Sequence, residues 1–244
     1  MVLGEGMPKV CVPVMGRTIS ELAEAAARAK GAQADIIELR IDSLSSMPDA
    51  DTAIAACLAV RESGIPVLFT LRTARDGGPG GTDAAAYEAL LNGMIESGAC
   101  EGVDCELSVG EEAFARIAKK AREAGVTLVG SSHEFGVMQD LSRAADWLLA
   151  QQRLGAQVCK AAVMTKTRVQ ALEAALMFAR TKEELSIPMI GIAMGPEGAI
   201  TRIGCQCIGS CLTFGTAGEA SAPGQIDAGE LRKALEIMHA ATAR

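Results

Sequence analysis

Eight short apolar runs, rich in Val, Ile or Leu, recur along the 244 residues, each followed by a stretch with helical spacing and none separated by a low-complexity linker. They cover residues 9–15, 35–41, 66–71, 102–107, 127–131, 157–163, 188–193 and 211–215. Runs this apolar suit parallel strands buried on both faces, and parallel strands need a crossover helix between them. Strand then helix, eight times over, predicts the α/β class and a single (β/α)8 TIM barrel, with residues 1–244 forming one catalytic domain. An open doubly wound sheet shares the alternation, but the count of eight and the polar residues at many strand ends favour the closed barrel.

Composition agrees with this architecture. Apolar residues make up 49% of the chain and aromatics only 3%, so the core must be filled by small and branched aliphatic side chains. Stretches 20–30, 83–96, 111–124 and 167–180 carry leucine or isoleucine at helical spacing. Capping-box spacing places helix starts at Thr18 with Glu21, Ser108 with Glu111, and Thr167 with Gln170. Gly31, Gly64, Gly98, Gly125 and Gly155 fall where left-handed helix stops belong.

A net charge of −7 argues against a nucleic-acid surface, and no apolar run of spanning length argues for a membrane. The start Met1-Val2-Leu3-Gly4-Glu5 lacks the basic and apolar regions of a secretory leader, which makes a cytoplasmic location the expectation. The eight cysteines are then expected to be small buried hydrophobes rather than disulfides. Cys205, Cys207 and Cys211 lack the ligand spacing of a zinc site, so no metal is expected.

Against this background Lys160 stands out, in the apolar run Val158-Cys159-Lys160-Ala161-Ala162-Val163. A lysine buried in a strand loses hydration, which favours a neutral amine able to add to a carbonyl carbon. The preceding strand ends at Ser132-His133-Glu134, with one of only two histidines in the chain, so nucleophile and base are expected side by side. The second, His239, reads as a helix-end surface residue. Chemistry in such barrels sits at the carboxyl ends of the strands, where Glu38, Arg40, Asp42, Arg72, Asp104 and Glu106 also fall. The run 77–81, Gly-Gly-Pro-Gly-Gly, lacks the spacing of a phosphate loop and reads as a mobile loop.

The motifs Ile37-Glu38-Leu39-Arg40-Ile41-Asp42, Phe69-Thr70-Leu71-Arg72-Thr73-Ala74, Ser132-His133-Glu134-Phe135 and Lys160-Ala161-Ala162-Val163-Met164, and a tail from Thr213-Phe214-Gly215 to Ser221-Ala222-Pro223-Gly224-Gln225, occur in that order. Together they resemble the type I 3-dehydroquinate dehydratase family of Schiff-base lyases in the shikimate pathway. The resemblance implies conversion of 3-dehydroquinate to 3-dehydroshikimate by syn elimination of water, through an imine on Lys160, with His133 as the acid and base and no cofactor. It carries substrate binding to Glu38, Arg40, Arg72, Arg202, Ser221 and Gln225, with Arg202 as the carboxylate clamp and the last two on a closing loop. Asp104, Glu106 and Glu134 would orient His133 and balance the cations, and the family's homodimer is implied as well. Two positions depart from the family pattern. Pro13 replaces a serine in the first strand, and Asp76 replaces a longer glutamate, which should lengthen or remove a hydrogen bond from that loop.

Two other readings share some of these residues. A class I aldolase would also use Lys160 but should show a glycine-rich phosphate site after strands seven and eight. A barrel that binds a small acid without turnover would have no need of both His133 and Lys160.

Overall fold

The computed structural model describes residues 3–80, 83–218, 222 and 224–242. Parallel strands β1 (Lys9–Val14), β2 (Ile36–Arg40), β3 (Val67–Thr70), β4 (Gly102–Glu106), β5 (Thr127–Val137), β6 (Val158–Met164), β7 (Met189–Met194) and β8 (Leu212–Thr216) form the staves of the barrel. Hydrogen-bonded neighbours run from β7 back to β1 and then to β8, to which the two-residue strand β9 (Ile226–Asp227) adds itself. Seven of the eight anticipated strands lie within about one residue of their sequence bounds. The exception is β5, which continues to Val137.

Between and after the strands come helices α1 (Ile19–Gly31), α2 (Ala50–Arg61), α3 (Ala84–Ser97), α4 (Glu111–Ala124), α5 (Ser142–Arg153), α6 (Arg168–Glu184), the short α7 (Ala199–Ile203) and α8 (Ala228–Thr242). Two of the three anticipated caps form: Thr18 accepts from Glu21 N, and Thr167 accepts from Gln170 N. The third does not. Gly110 caps α4, and the Ser108 hydroxyl instead donates to Asp76 Oδ2 at 2.7 Å. Gly64, Gly98, Gly125 and Gly155 adopt positive φ as helix stops, but Gly31 is still helical and Gln33 takes the left-handed position with φ 59°.

Strand alternation divides the core in two. Outward-facing Ile37, Leu39, Val67, Phe69, Val103 and Leu128 pack against the helices. Inside, Cys11, Ile36, Leu68, Val129, Ile190, Ile192, Leu212 and Phe214 fill the barrel. Seven cysteines are buried free thiols and Cys207 is exposed. No described helix is long and apolar enough to cross a membrane.

The ring is closed between β7 and β8 by little ladder. Cys211 N donates to Met189 O at 2.8 Å, and Met189 with Ser210 forms an isolated bridge. Above it the Ser210 hydroxyl takes over, accepting from Gly191 N at 3.2 Å and donating to Leu212 O at 2.9 Å. A side chain thus replaces a missing rung. Ser210→Ala should therefore cost about 1–3 kcal/mol of unfolding free energy by leaving a buried amide unpaired. Urea unfolding checks this, and an unchanged midpoint would show that the seam does not depend on the hydroxyl.

Candidate active site

Inward-facing positions change character toward the carboxyl ends of the strands. There an open cleft of about 610 Å³ is lined by Glu38, Arg40, Arg72, Asp76, His133, Lys160, Arg202, Phe214 and Gln225, among others.

Lys160 projects into this cleft from β6, 3% exposed. Its Nζ lies 3.3 Å from Glu38 Oε1 on β2 and 3.3 Å from Asp104 Oδ2 on β4, with the Phe214 ring centroid at 4.6 Å. Two anions and an aromatic face therefore hold the amine at the cleft wall.

Arg72 completes the charge pattern. Its guanidinium bridges Asp104 Oδ2 at 3.0 Å and Glu106 Oε1 at 2.9 Å and donates to Ser131 Oγ at 3.1 Å. Glu106 also accepts from Thr73 N at 2.9 Å and Thr73 Oγ1 at 2.5 Å. Burial pushes Asp104 upward, but Arg72 and Lys160 outweigh it and hold this carboxyl well below the usual carboxylate range. In Glu106 burial wins over Arg72, and its pKa is raised. Arg40 is clamped by Asp42 through bonds of 2.9 and 2.7 Å, and Asp42 also accepts from Arg72 N at 3.0 Å.

His133 lies on β5, whose Ser131 pairs with Lys160 of β6 in the sheet register. Two residues further along the same face, at a rise of about 3.3 Å each and a strand spacing of about 4.8 Å, its Cα is on the order of 8 Å from that of Lys160. Imidazole and amine thus open on one cleft. Burial first, then the nearby cations Arg72 and Lys160, depress the His133 pKa well below its ordinary 6.5, which keeps the ring neutral.

The carboxylate on His133 is Asp76. Its Oδ1 accepts from His133 N at 2.8 Å and lies 3.2 Å from Nδ1, while Ser108 fixes Oδ2. The substitution of aspartate for glutamate therefore keeps a hydrogen bond to the site, contrary to the sequence expectation. Glu134 does not orient His133. Alternation along β5 sends it to the opposite face, where its Oε1 accepts from Gly136 N at 2.8 Å. Asp104 and Glu106 serve the cations instead, through Lys160 and Arg72.

The remaining positions fall around the rim. Arg202 on α7 is 1% exposed and donates to Phe214 O at 3.4 Å, and burial lowers its pKa to about 10. Gln225 lines the cleft just before β9, whose pairing with β8 anchors the end of the loop. Ser221 lies outside the described residues. Pro13 sits in β1 opposite Glu38. The glycine-rich segment folds back as far as Gly80 in a tight turn, with Gly78 N donating to Thr73 O at 2.8 Å and Ala74 N to Gly80 O at 2.8 Å, and Gly81 lies outside the described residues. Sequence reasoning missed Ser108, which it assigned to a helix cap, and gave no role to Phe214, although Phe214 lies within the motif Thr213-Phe214-Gly215. Among the described residues no cluster of three or more His, Cys, Asp or Glu could hold a metal ion.

A family model described as type I 3-dehydroquinase matches residues 10–242. The 3-dehydroquinate dehydratase of Bacillus licheniformis is 35% identical over 240 residues, 97% of this chain and 94% of the relative. That of Salmonella paratyphi B is 33% identical, covering 99% and 97%. The crystal structure of the type I enzyme from Clostridium difficile, solved with covalently modified comenic acid, superposes with a TM-score of 0.93 at 30% identity, covering 99% of this chain and 96% of that one. The 3-dehydroquinate dehydratase of Geobacillus kaustophilus gives the same TM-score at 33% identity, with 99% and 95% covered. With a match along nearly its whole length in sequence and in fold, and a lysine and a histidine facing one cleft, this chain belongs to the type I 3-dehydroquinase family.

Proposed function

We propose that this protein converts 3-dehydroquinate to 3-dehydroshikimate through an imine on Lys160. The observation that carries the reading is the shared cleft: a buried amine on β6 and a neutral imidazole on β5 open on one cavity rimmed by guanidinium groups.

The steps follow from the positions of the groups. The amine must shed a proton before it adds, and Glu38, with Oε1 3.3 Å from Nζ, is an acceptor within reach, while Asp104 stays ionised as the counter-charge. Nζ adds to the C3 ketone and water leaves, giving an iminium whose positive nitrogen draws electrons from C2. His133 takes the C2 proton. A carboxylate at Nδ1 favours the tautomer with hydrogen there and leaves the lone pair on Nε2, so Asp76 prepares His133 as a base. The C2 electrons reform a double bond toward the iminium nitrogen, giving an enamine. The C1 hydroxyl then departs on the same face, taking the proton from the imidazolium and leaving as water. Hydrolysis of the conjugated imine returns the amine and releases the enone, a net loss of one water.

In this reading Arg202 takes the substrate carboxylate, since a buried guanidinium offers the planar fork a carboxylate needs. Glu38, Arg40, Arg72 and Gln225 face the ring hydroxyls, and Ser221, outside the described residues, keeps the binding role that the family resemblance gives it. Residues 1–244 act as one catalytic domain, in a cytoplasmic homodimer. The exposed apolar row Val169, Leu172 and Leu176 on α6 is a surface suited to such pairing.

Borohydride added with 3-dehydroquinate should leave a stable adduct on the peptide carrying Lys160, detected by mass spectrometry. An unmodified Lys160 peptide beside active enzyme would refute the imine. The pH profile supplies a second check. His133 acts as a base only when neutral, and its pKa is depressed, so the acid limb of kcat/KM should fall below pH 6.5. The same sign applies to stability: an unfolded chain would protonate this imidazole near its ordinary value and the folded one would not, so this residue's contribution is complete above 6.5 and declines as pH falls below it toward the depressed folded pKa. An acid limb above that pH would count against His133 as the base.

A further inference from the structure

Gln151 is the one polar residue that α5 buries completely, one turn after Leu148 on the same inner face. An apolar side chain would fill that space at lower desolvation cost, so the amide must be held by good hydrogen bonds. All of them lead to the catalytic strands. Its Oε1 accepts from Lys160 N at 2.9 Å, and its Nε2 donates to Lys160 O at 3.1 Å and to Ser132 Oγ at 3.1 Å. Both polar groups of the Lys160 backbone are therefore gripped by one planar side chain, which also holds the residue immediately before His133.

Space for this contact has been left in β5. A Cβ at Gly130 would come within 3.0 Å of Gln151 Cγ and 2.8 Å of Phe114 Cζ, so a larger residue there would push the amide away from the strand. The bonds lie outside the barrel wall, behind the cleft, so Gln151 touches no bound substrate. Its influence on the chemistry can pass only through the strands. With the two peptide planes that flank it held, one at its N–H and the other at its C=O, the lysine Cα is fixed in place, and so is the point from which a long side chain delivers its amine. Misplacing a reacting group by about 1 Å can cost about 100-fold in rate.

We propose that Gln151 is a positioning residue, whose side-chain amide fixes the backbone of Lys160 against the strand that carries His133, so that amine and imidazole address neighbouring carbons of one substrate. The proposal rests on the imine reading of Lys160. It assigns the outer layer of the barrel a part in setting the active-site geometry.

The test compares Gln151→Met, which keeps the side-chain length and removes all three hydrogen bonds, with Leu148→Ala, which loosens the packing of the same helix and leaves the three hydrogen bonds in place. Steady-state kinetics with 3-dehydroquinate are normalised to active sites counted by borohydride trapping, and melting temperatures are recorded for both proteins. The expected result for Gln151→Met is a kcat per trapped site lowered about 10- to 100-fold with KM changed much less. Leu148→Ala is expected to melt earlier yet keep its kcat per site. Gln151→Glu retains the acceptor for Lys160 N–H and should fall between wild type and Met, and it carries the comparison if the Met variant does not fold. Equal kcat per site in the Gln151 and Leu148 variants would overturn the positioning role. Absence of any adduct in the wild-type protein would instead overturn the imine reading beneath it.

Discussion

The buried ion cluster at the mouth of the barrel is the constraint on which the rest depends. Lys160 and Arg72 share Asp104, and each has a further carboxylate, Glu38 or Glu106. Desolvating isolated charges this deeply would cost several kcal/mol per ion, so the lysine can be buried only as part of such a set. Removing one member would leave its counter-charge stranded. The arrangement also has a chemical use: Glu38, which helps hold the amine, is a group to which it can release a proton, and Asp104 remains as the fixed counter-charge. The barrel accepts the cost because its apolar interior lies below, in a layer of Ile36, Leu68, Val129 and Ile190.

A second, smaller network sets the base. Asp76 reaches His133 through both the backbone amide and the ring, and Ser108 steadies its other oxygen. The aspartate suffices because the turn after Arg72 folds tightly and brings the carboxylate up to β5, with the Phe135 ring packed against Gly77. Together the two networks place a neutral imidazole and a buried amine on adjacent strands, with the guanidinium of Arg202 in the same cleft.

Much of this was legible in the sequence, because the signals were local. Apolar runs located the strands, since a parallel strand buried on both faces leaves little room for other patterns. Charged residues toward the carboxyl ends of those runs, or just past them, located the cleft. What escaped depended on direction in space. Glu134 follows His133, and only the continuation of β5 through both residues turns it away. Ser108 had the spacing of a helix cap, but a carboxylate from a distant loop took its hydroxyl. Gln151 had a usable signal: it occupies the inward position set by Ala144 and Leu148, where helical periodicity calls for an apolar residue. Nothing in the sequence, though, said that its amide would meet Lys160.

The central claim is that one substrate carbon bonds to Lys160 Nζ while its neighbour faces His133. A crystal structure of the borohydride-reduced complex with 3-dehydroquinate tests it most directly. The account predicts continuous density from Nζ to C3 of the ring, with the His133 imidazole beside C2 and the substrate carboxylate on Arg202. Density joining the ligand to any other residue, or a ring turned so that C2 lies beyond reach of His133, would contradict it.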